Sequence, residues 1–335
     1  MEIYTDYLSV ISEAMKGGNN TGSLHESRGA EAKAFSKGLS YQELNARIPR
    51  NQLQPGLQRF AQEIGLAANF QQKLGQHPDF AHLKNSNTTE KHYIVSMFVD
   101  IKGSTNLFRR YEPETVLVIT NTIQRAAIHT CLVLGGYVHR LQGDGLFVYF
   151  GGKSMSIPEA VNRSLIFASL FSYFVKTDLR NLFDEQGIEA IFTRVGIDLG
   201  YEDDVIWSLA GIGEISEITT CSLHTSLASK MQSHAVANGI VVGDHIVTEA
   251  TQHAPHFTPV CKRTGDENDR YIYQIPDKRF NYAQYDFSWL PWLKKQDFVV
   301  TDLAGNLHLK HKPAPSVSSK GLYQVASVSK PYYHG

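Results

Sequence analysis

The sequence predicts an α+β protein: one antiparallel sheet with helices on one face, preceded by a helical N-terminal extension. Two observations carry that reading. Through residue 90 or so, apolar residues recur at helical spacing between Gly, Asn and Ser clusters, and the alternation of strands is missing. From Tyr93 to about Ile275, short β-rich runs alternate with longer helical ones.

In order, "DYLSVISEAMK" and "LQRFAQEIGLAANFQQKL" read as helices of the extension. "YIVSMFVDI" is a β-rich run, and "PETVLVITNTIQRAAIHTCLVLG" is a long helix. "GYVHRLQ" and "LFVYFG" are two strands hinged on Gly143-Asp144-Gly145. The helix "IPEAVNRSLIFASLFSYFVKTDLRNLFDEQG" and the strand "IFTRVGIDLG" complete a β-α-β-β-α-β order, the ferredoxin-like arrangement. A helix, "HTSLASKMQSHA", and strands "GIVVGD" and "RYIYQI" follow. We expect a helical extension over 1–90, a catalytic-sized domain over 91–276, and an aromatic C-terminal extension over 277–335 whose Lys/Ser/Pro-rich end is mobile.

Composition narrows the function. The 335 residues exceed one domain of about 100–200 residues. With 32 basic against 33 acidic residues, dispersed along the chain, nothing advertises a grip on a nucleic-acid backbone. The N-terminus lacks the basic start of a secretory signal, and the longest apolar stretch, Ser164 to Val175, is shorter than the roughly 20 residues of a membrane-crossing helix. A cytoplasmic protein without a membrane span is expected. Cys131, Cys221 and Cys261 form neither a disulfide framework nor a zinc spacing. His253 and His256 have metal-compatible spacing, but a proline lies between them and no third ligand accompanies them.

The chemistry-bearing residues sit at the ends of strands. Asp100 closes the first strand in "MFVDIKGST", and Asp144 occupies the turn between the next two; in this topology both carboxylates converge at one sheet edge. Paired carboxylates suit Mg²⁺ or Mn²⁺, which take oxygen ligands and bridge to substrate phosphates. Gly103-Ser104-Thr105 opens a helix whose first amides can hold phosphate oxygens. Each motif alone also reads plainly, as a capped turn or an ordinary Asp-Gly hairpin; their order on these elements favours the site.

"FVDIKGST", "GYVHRLQGDGLFVYF" and "TRVGIDLG" together resemble the catalytic domain of class III nucleotidyl cyclases over roughly residues 93–275. The resemblance implies the class III cyclase fold, with two divalent metal ions on Asp100 and Asp144 and the Ile101 carbonyl as an added ligand. It places the amides of Gly103, Ser104 and Thr105 on the phosphates. The 3′-hydroxyl of a nucleoside triphosphate would attack its own α-phosphate, releasing pyrophosphate, in a head-to-tail homodimer with shared active sites.

Departures from that family are informative. The helix position of its ribose-orienting asparagine falls on Ser226, and that of its transition-state arginine on Lys230, a point charge rather than a planar fork. Lys262 or Arg263 would reach the β- and γ-phosphates. The base-reading lysine of adenylate cyclases is replaced by Arg140, and its acidic partner falls near Thr219; donors from Arg140 with a donor-acceptor Thr219 match uracil better than adenine. These features look like the bacterial pyrimidine cyclases of the Pycsar anti-phage system, whose cyclic nucleotide is read by a separate effector. The expected reaction is UTP to 3′,5′-cyclic UMP, with cyclic CMP from CTP or a purine cyclase as alternatives. Other classes remain open: a catalytically silent nucleotide-binding module, or a palm-type polymerase or diguanylate cyclase, for which "GDG" stands where a Gly-Gly-Asp-Glu-Phe signature belongs.

Overall fold

The computed structural model describes residues 1–17 and 39–310; the Lys/Ser/Pro-rich end expected to be mobile lies outside the described residues. Three helices open the chain: α1 (Thr5–Gly17), α2 (Tyr41–Arg47) and α3 (Pro55–Ile64). Then come β1 (Glu90–Lys91), β2 (Ile94–Lys102), α4 (Pro113–Val133), β3 (Tyr137–Gln142), β4 (Gly145–Phe150), α5 (Ile157–Tyr173), α6 (Arg180–Glu185) and β5 (Phe192–Gly200). A hairpin of β6 (Val205–Ile212) and β7 (Ile215–Ser222) leads to α7 (Leu223–His234), β8 (Gly239–Gly243) and α8 (Asp244–Glu249). The rest is β9 (Phe257–Pro259), α9 (Cys261–Thr264), β10 (Tyr271–Ile275), β11 (Phe280–Phe287), α10 (Trp289–Leu293), β12 (Val299–Thr301) and β13 (Leu307–Leu309).

The central sheet runs β10-β11-β8-β5-β2-β4-β3, with β9 also on β11. Its β5-β2-β4-β3 part is antiparallel throughout and is joined through α4 and α5, which is the ferredoxin-like unit the sequence predicts. Side chains alternate across β2. Val95, Met97, Val99 and Ile101 enter the core under α4 and α5, while Ile94 and Phe98 face the opposite side with Tyr149 and Trp207. Because a one-residue slip would exchange these two sets, the register of β2 is strongly specified. The stacked cross-strand pair Phe98–Phe147, 4.2 Å between ring centroids, adds about 0.2–1 kcal/mol to that register. It thereby fixes which residues meet at the strand ends.

Helix α7 lies on the second face, outside the ferredoxin-like unit. It approaches β5 at Gly196, where a Cβ would stand 2.1 Å from the Ala228 carbonyl oxygen, so any side chain there would push the helix off the sheet.

Three expectations need correction. The helix read over "LQRFAQEIGLAANFQQKL" stops at Ile64, because Gly65 adopts a left-handed conformation (φ 70°) and caps the carbonyls of Ala61 and Gln62. The β6–β7 hairpin was not foreseen. Finally, the boundary expected at residue 276 falls inside the sheet, since β11 inserts between β8 and β10. Residues of the N-terminal and C-terminal segments share one hydrophobic core with α4 and α5. Among the described residues, α4 is long and apolar enough to cross a membrane by length and composition, but 72% of its apolar window is buried inside the protein, as a core helix requires.

Candidate active site

Asp100 ends the central strand β2 and Asp144 sits in the β3–β4 turn beside it. The β2–β4 ladder stops at Val99–Leu146, leaving the next stretch of β2, through the buried Ile101, facing the turn. Gly145 makes this approach possible: a Cβ there would lie 2.4 Å from the Val99 carbonyl oxygen and 3.4 Å from the Asp100 Cα. Burial pushes the Asp144 carboxyl above its usual range; the Ser104 hydroxyl, which donates to Asp144 Oδ2, pulls it back, and the nearby Asp100 charge raises it further. Two half-buried carboxylates at adjoining strand ends form a donor set that a hard divalent cation would satisfy.

Asp100 is engaged as well. Arg194, its cross-strand neighbour on β5, donates from Nη2 (2.5 Å) and Nε (3.2 Å) to Asp100 Oδ2. Arg194 lies within "TRVGIDLG", a stretch that carries no local signal for this contact. Its significance depends on the β2–β5 register, which no local pattern reveals.

The turn expected to hold phosphate differs in detail from expectation. Gly103 is left-handed (φ 97°), and Ser104 begins a 3-10 helix of six residues, Ser104–Arg109, rather than the long helix, which starts at Pro113. Ser104 and Thr105 line a cleft of about 840 Å³ with Phe108, Leu117 and Asp144, and Tyr41 of α2 forms part of its wall. That volume lies within the roughly 300–1,000 Å³ of small-molecule sites. Arg125 of α4 holds α2 there by donating to the Ile48 carbonyl (2.6 Å) and Asn45 Oδ1 (2.5 Å), so the N-terminal segment helps shape the cleft.

At the expected base-reading position, Arg140 is not paired with Thr219. Its guanidinium makes a two-pronged ion pair with Glu217 of β7, Nε to Oε2 at 2.6 Å and Nη2 to the other carboxylate oxygen. Thr219, two residues along the same strand, lies 3.5 Å from the Tyr149 hydroxyl. Tyr149 continues a chain of hydroxyls through Thr220 (3.0 Å) and Thr225 (2.9 Å) to Ser96 (2.8 Å), tying β7 and α7 to the sheet. Glu217 was missed because its hairpin was missed; alternation across "VIWSLAGIGEISEITT" about the turn glycines was the available signal.

The remaining residues stand apart from the carboxylates. Ser226 and Lys230 lie exposed on α7, with the Lys230 ammonium 5.9 Å from the Tyr273 ring centre. Among the described contacts, none joins either residue to Asp100 or Asp144. Lys262 is exposed, whereas Arg263 is held by Asp286 at 2.7 Å. His256 faces Lys295 at 3.4 Å, and among the described residues His253 and His256 join no group of metal-ligating side chains.

No family model matches the chain. It is 39% identical over 198 residues to a protein named cytidylate cyclase from Staphylococcus aureus, covering 59% of this chain and 46% of that one. It is 33% identical over 224 residues to a cytidylate cyclase from Escherichia coli, covering 64% and 47%. The chain thus spans about half the length of the curated relatives it matches. The crystal structure of the adenylyl cyclase CyaB from P. aeruginosa aligns over 60% of this chain and 95% of its own, at 21% identity and a TM-score of 0.48. By sequence, the chain resembles proteins named cytidylate cyclase.

Proposed function

We propose that this chain, a relative of proteins named cytidylate cyclase, carries a pyrimidine nucleotide cyclase domain that converts CTP to 3′,5′-cyclic CMP and pyrophosphate. The observation that carries the base assignment is the Arg140–Glu217 pair. Cytosine presents an exocyclic amine beside two acceptors, N3 and O2. A carboxylate can take the amine and a guanidinium fork can donate to both acceptors. Uracil would turn its O4 toward Glu217, acceptor against acceptor. Adenine offers the amine and N1 but only a C–H where cytosine has O2, leaving one guanidinium donor unmatched. Arg140 with Thr219 favours UTP, as the sequence suggested; Glu217 on the same strand as Thr219 shifts the reading to CTP.

Two divalent cations, Mg²⁺ or Mn²⁺, fit the oxygen-only set of Asp100, Asp144 and the Ile101 carbonyl; when bound they supply the positive charge that acidifies the ribose hydroxyl and grips the polyphosphate. The chain's own groups do the rest by positioning. The Ser104 hydroxyl orients Asp144, and the amides from Gly103 to Thr105 hold phosphate oxygens. Ser226 orients the ribose and Lys230 meets charge at the α-phosphate. Lys262 reaches the outer phosphates, and Arg263 does so only after leaving Asp286. Since α7 makes no described contact with the carboxylates, these helix residues act on the site of a second copy in a head-to-tail homodimer. The hairpin tip supports such pairing, for Ile212 and Ile215 are 78% and 79% exposed. The cyclic nucleotide would serve as a signal to a separate effector in anti-phage defence.

The test is incubation of the protein with each of four ribonucleoside triphosphates and Mn²⁺, with products identified by mass. Cyclic CMP should dominate. Dominant cyclic UMP would overturn the Glu217 argument but leave the cyclase; preference for ATP or GTP would overturn the pyrimidine reading. No cyclic product from any triphosphate, with nucleotide binding retained, would identify a silent module.

A further inference from the structure

A second cluster lies at the other end of the same sheet face. Asp204, in the turn between β5 and β6, His224 in the first turn of α7 and His245 in α8 each bring one ligand atom within 4.8 Å of the others. His224 Nε2 stands 3.8 Å from Asp204 Oδ2. Both rings are held from behind. His245 Nδ1 lies 2.8 Å from the Leu199 carbonyl, which can only accept, so Nδ1 carries the proton and Nε2 keeps its lone pair. His224 Nδ1 lies 2.9 Å from Oδ2 of Asp198. Asp198 has no solvent exposure and also accepts from the Tyr282 hydroxyl (2.7 Å) and the Leu199 amide (2.9 Å).

The backbone makes room for this arrangement. A Cβ at Gly243 would lie 2.1 Å from Asp198 Oδ1, and one at Gly200 would lie 3.5 Å from His224 Cβ and 2.4 Å from a Val205 methyl. The rings lie at 4.4 Å between centroids, tilted by 33°, and the Tyr201 ring lies 4.6 Å from that of His245. An imidazole backed by a buried carboxylate and another backed by a carbonyl match the supporting partners that metal-binding histidines use.

We infer that Asp204, His224 and His245 bind Zn²⁺, with water completing a tetrahedral set. Two imidazole nitrogens and one carboxylate suit this ion, whereas Mg²⁺ prefers oxygen alone. The site is separate from the carboxylate pair. Asp198 is four residues along β5 from Arg194, the partner of Asp100, or about 13 Å at strand rise. The metal would join the β5–β6 turn, the start of α7 and α8, and so set the position of the helix that carries Ser226 and Lys230. This inference stands whether or not the cyclase reading does.

The experiment uses the full chain with Asp100→Asn and Asp144→Asn, so that the carboxylate pair binds no metal. After chelator treatment, Co²⁺ is titrated in as a spectroscopic substitute and then displaced by Zn²⁺. One equivalent per chain with visible bands of imidazole-ligated Co²⁺ is expected, and Zn²⁺ should raise the unfolding temperature. Asp204→Ala and His245→Gln should each weaken binding by at least about tenfold. Asp204 is exposed, so Asp204→Ala tests the site even if the histidine variant fails to fold. Absence of stoichiometric binding in the parent, or parental affinity in either folded variant, would show a hydrogen-bonded network without metal and overturn the inference.

Discussion

Replacing Glu217 by Gln tests the base-reading assignment with little change in shape. In the structure Glu217 holds Arg140 through both oxygens, but Arg140 is 49% exposed, so solvent screens the pair and its share of stability is about 0–1 kcal/mol. The variant should therefore unfold within a few degrees of the parent. Selectivity should change far more. A carboxylate accepting from the cytosine amine and rejecting uracil O4 is a charged hydrogen bond, worth about 1.5–3 kcal/mol, or roughly 10- to 150-fold. Glutamine can present either its carbonyl or its amide to the base, so it no longer distinguishes the two. The ratio of kcat/KM for CTP over UTP, measured by pyrophosphate release, should fall by that factor. A ratio within twofold of the parent would refute Glu217 as the acceptor, and so would a parent enzyme that already prefers UTP.

Three further outcomes follow from the geometry. Arg194→Gln should lower the Mn²⁺ concentration for half-maximal activity roughly two- to fivefold, because the cation no longer competes with a guanidinium for Asp100 Oδ2; an unchanged or higher requirement counts against that competition. Asp100→Ala and Lys230→Ala should each reduce activity about 10²-fold or more, yet mixing the two after subunit exchange should restore roughly a quarter of parental turnover, since half of the randomly paired dimers hold one intact site; no recovery despite proven exchange rejects the shared site. Burial holds the unexposed His139 at a pKa of about 3, below its ordinary 6.5, so the unfolded chain binds the extra proton between these values and stability is lost as pH falls through them. His139→Phe should remove about 1.4 kcal/mol per pH unit from the slope of stability near pH 5, read by denaturant unfolding at several pH values; an unchanged slope would mean that His139 is protonated in the folded protein.

Much of the core and part of the candidate site were legible because they rest on local signals. Period-two runs, Pro and Gly punctuation, and an Asp-Gly turn between two strands gave the β5-β2-β4-β3 unit and placed Asp100 and Asp144 at adjoining strand ends. What escaped depends on pairing between distant segments. Arg194 meets Asp100 across the β2–β5 ladder from 94 residues away. Glu217 reaches Arg140 from a hairpin that lies under its own small core, where Trp207 stacks on Phe80 at 4.0 Å. β11 reads as an aromatic tail until β8 and β10 are seen to flank it. His224 and His245 carry no motif spacing; they meet because the starts of α7 and α8 both pack against the end of β5.

The even-numbered residues of β5 explain how these parts are arranged. Arg194, Gly196 and Asp198 all point to the α7 face, since the intervening Val195, Ile197 and Leu199 enter the core. Arg194 secures Asp100 at one end, and Asp198 secures His224 at the other. Between them Gly196 lets the backbone of α7 come down onto the sheet, with Ala228 and Gln232 directly above it. Ser226 and Lys230 project from the exposed side of that same helix. Their height and angle are thus set by one glycine beneath the helix and one buried Asp–His pair at its start, neither of which touches the carboxylate site. A Gly196→Ala change should consequently displace α7 while leaving Asp100, Asp144 and Arg194 in register, lowering turnover through Lys230 without altering metal affinity. Equal loss of metal affinity and turnover would mean instead that the β2–β5 ladder itself had shifted.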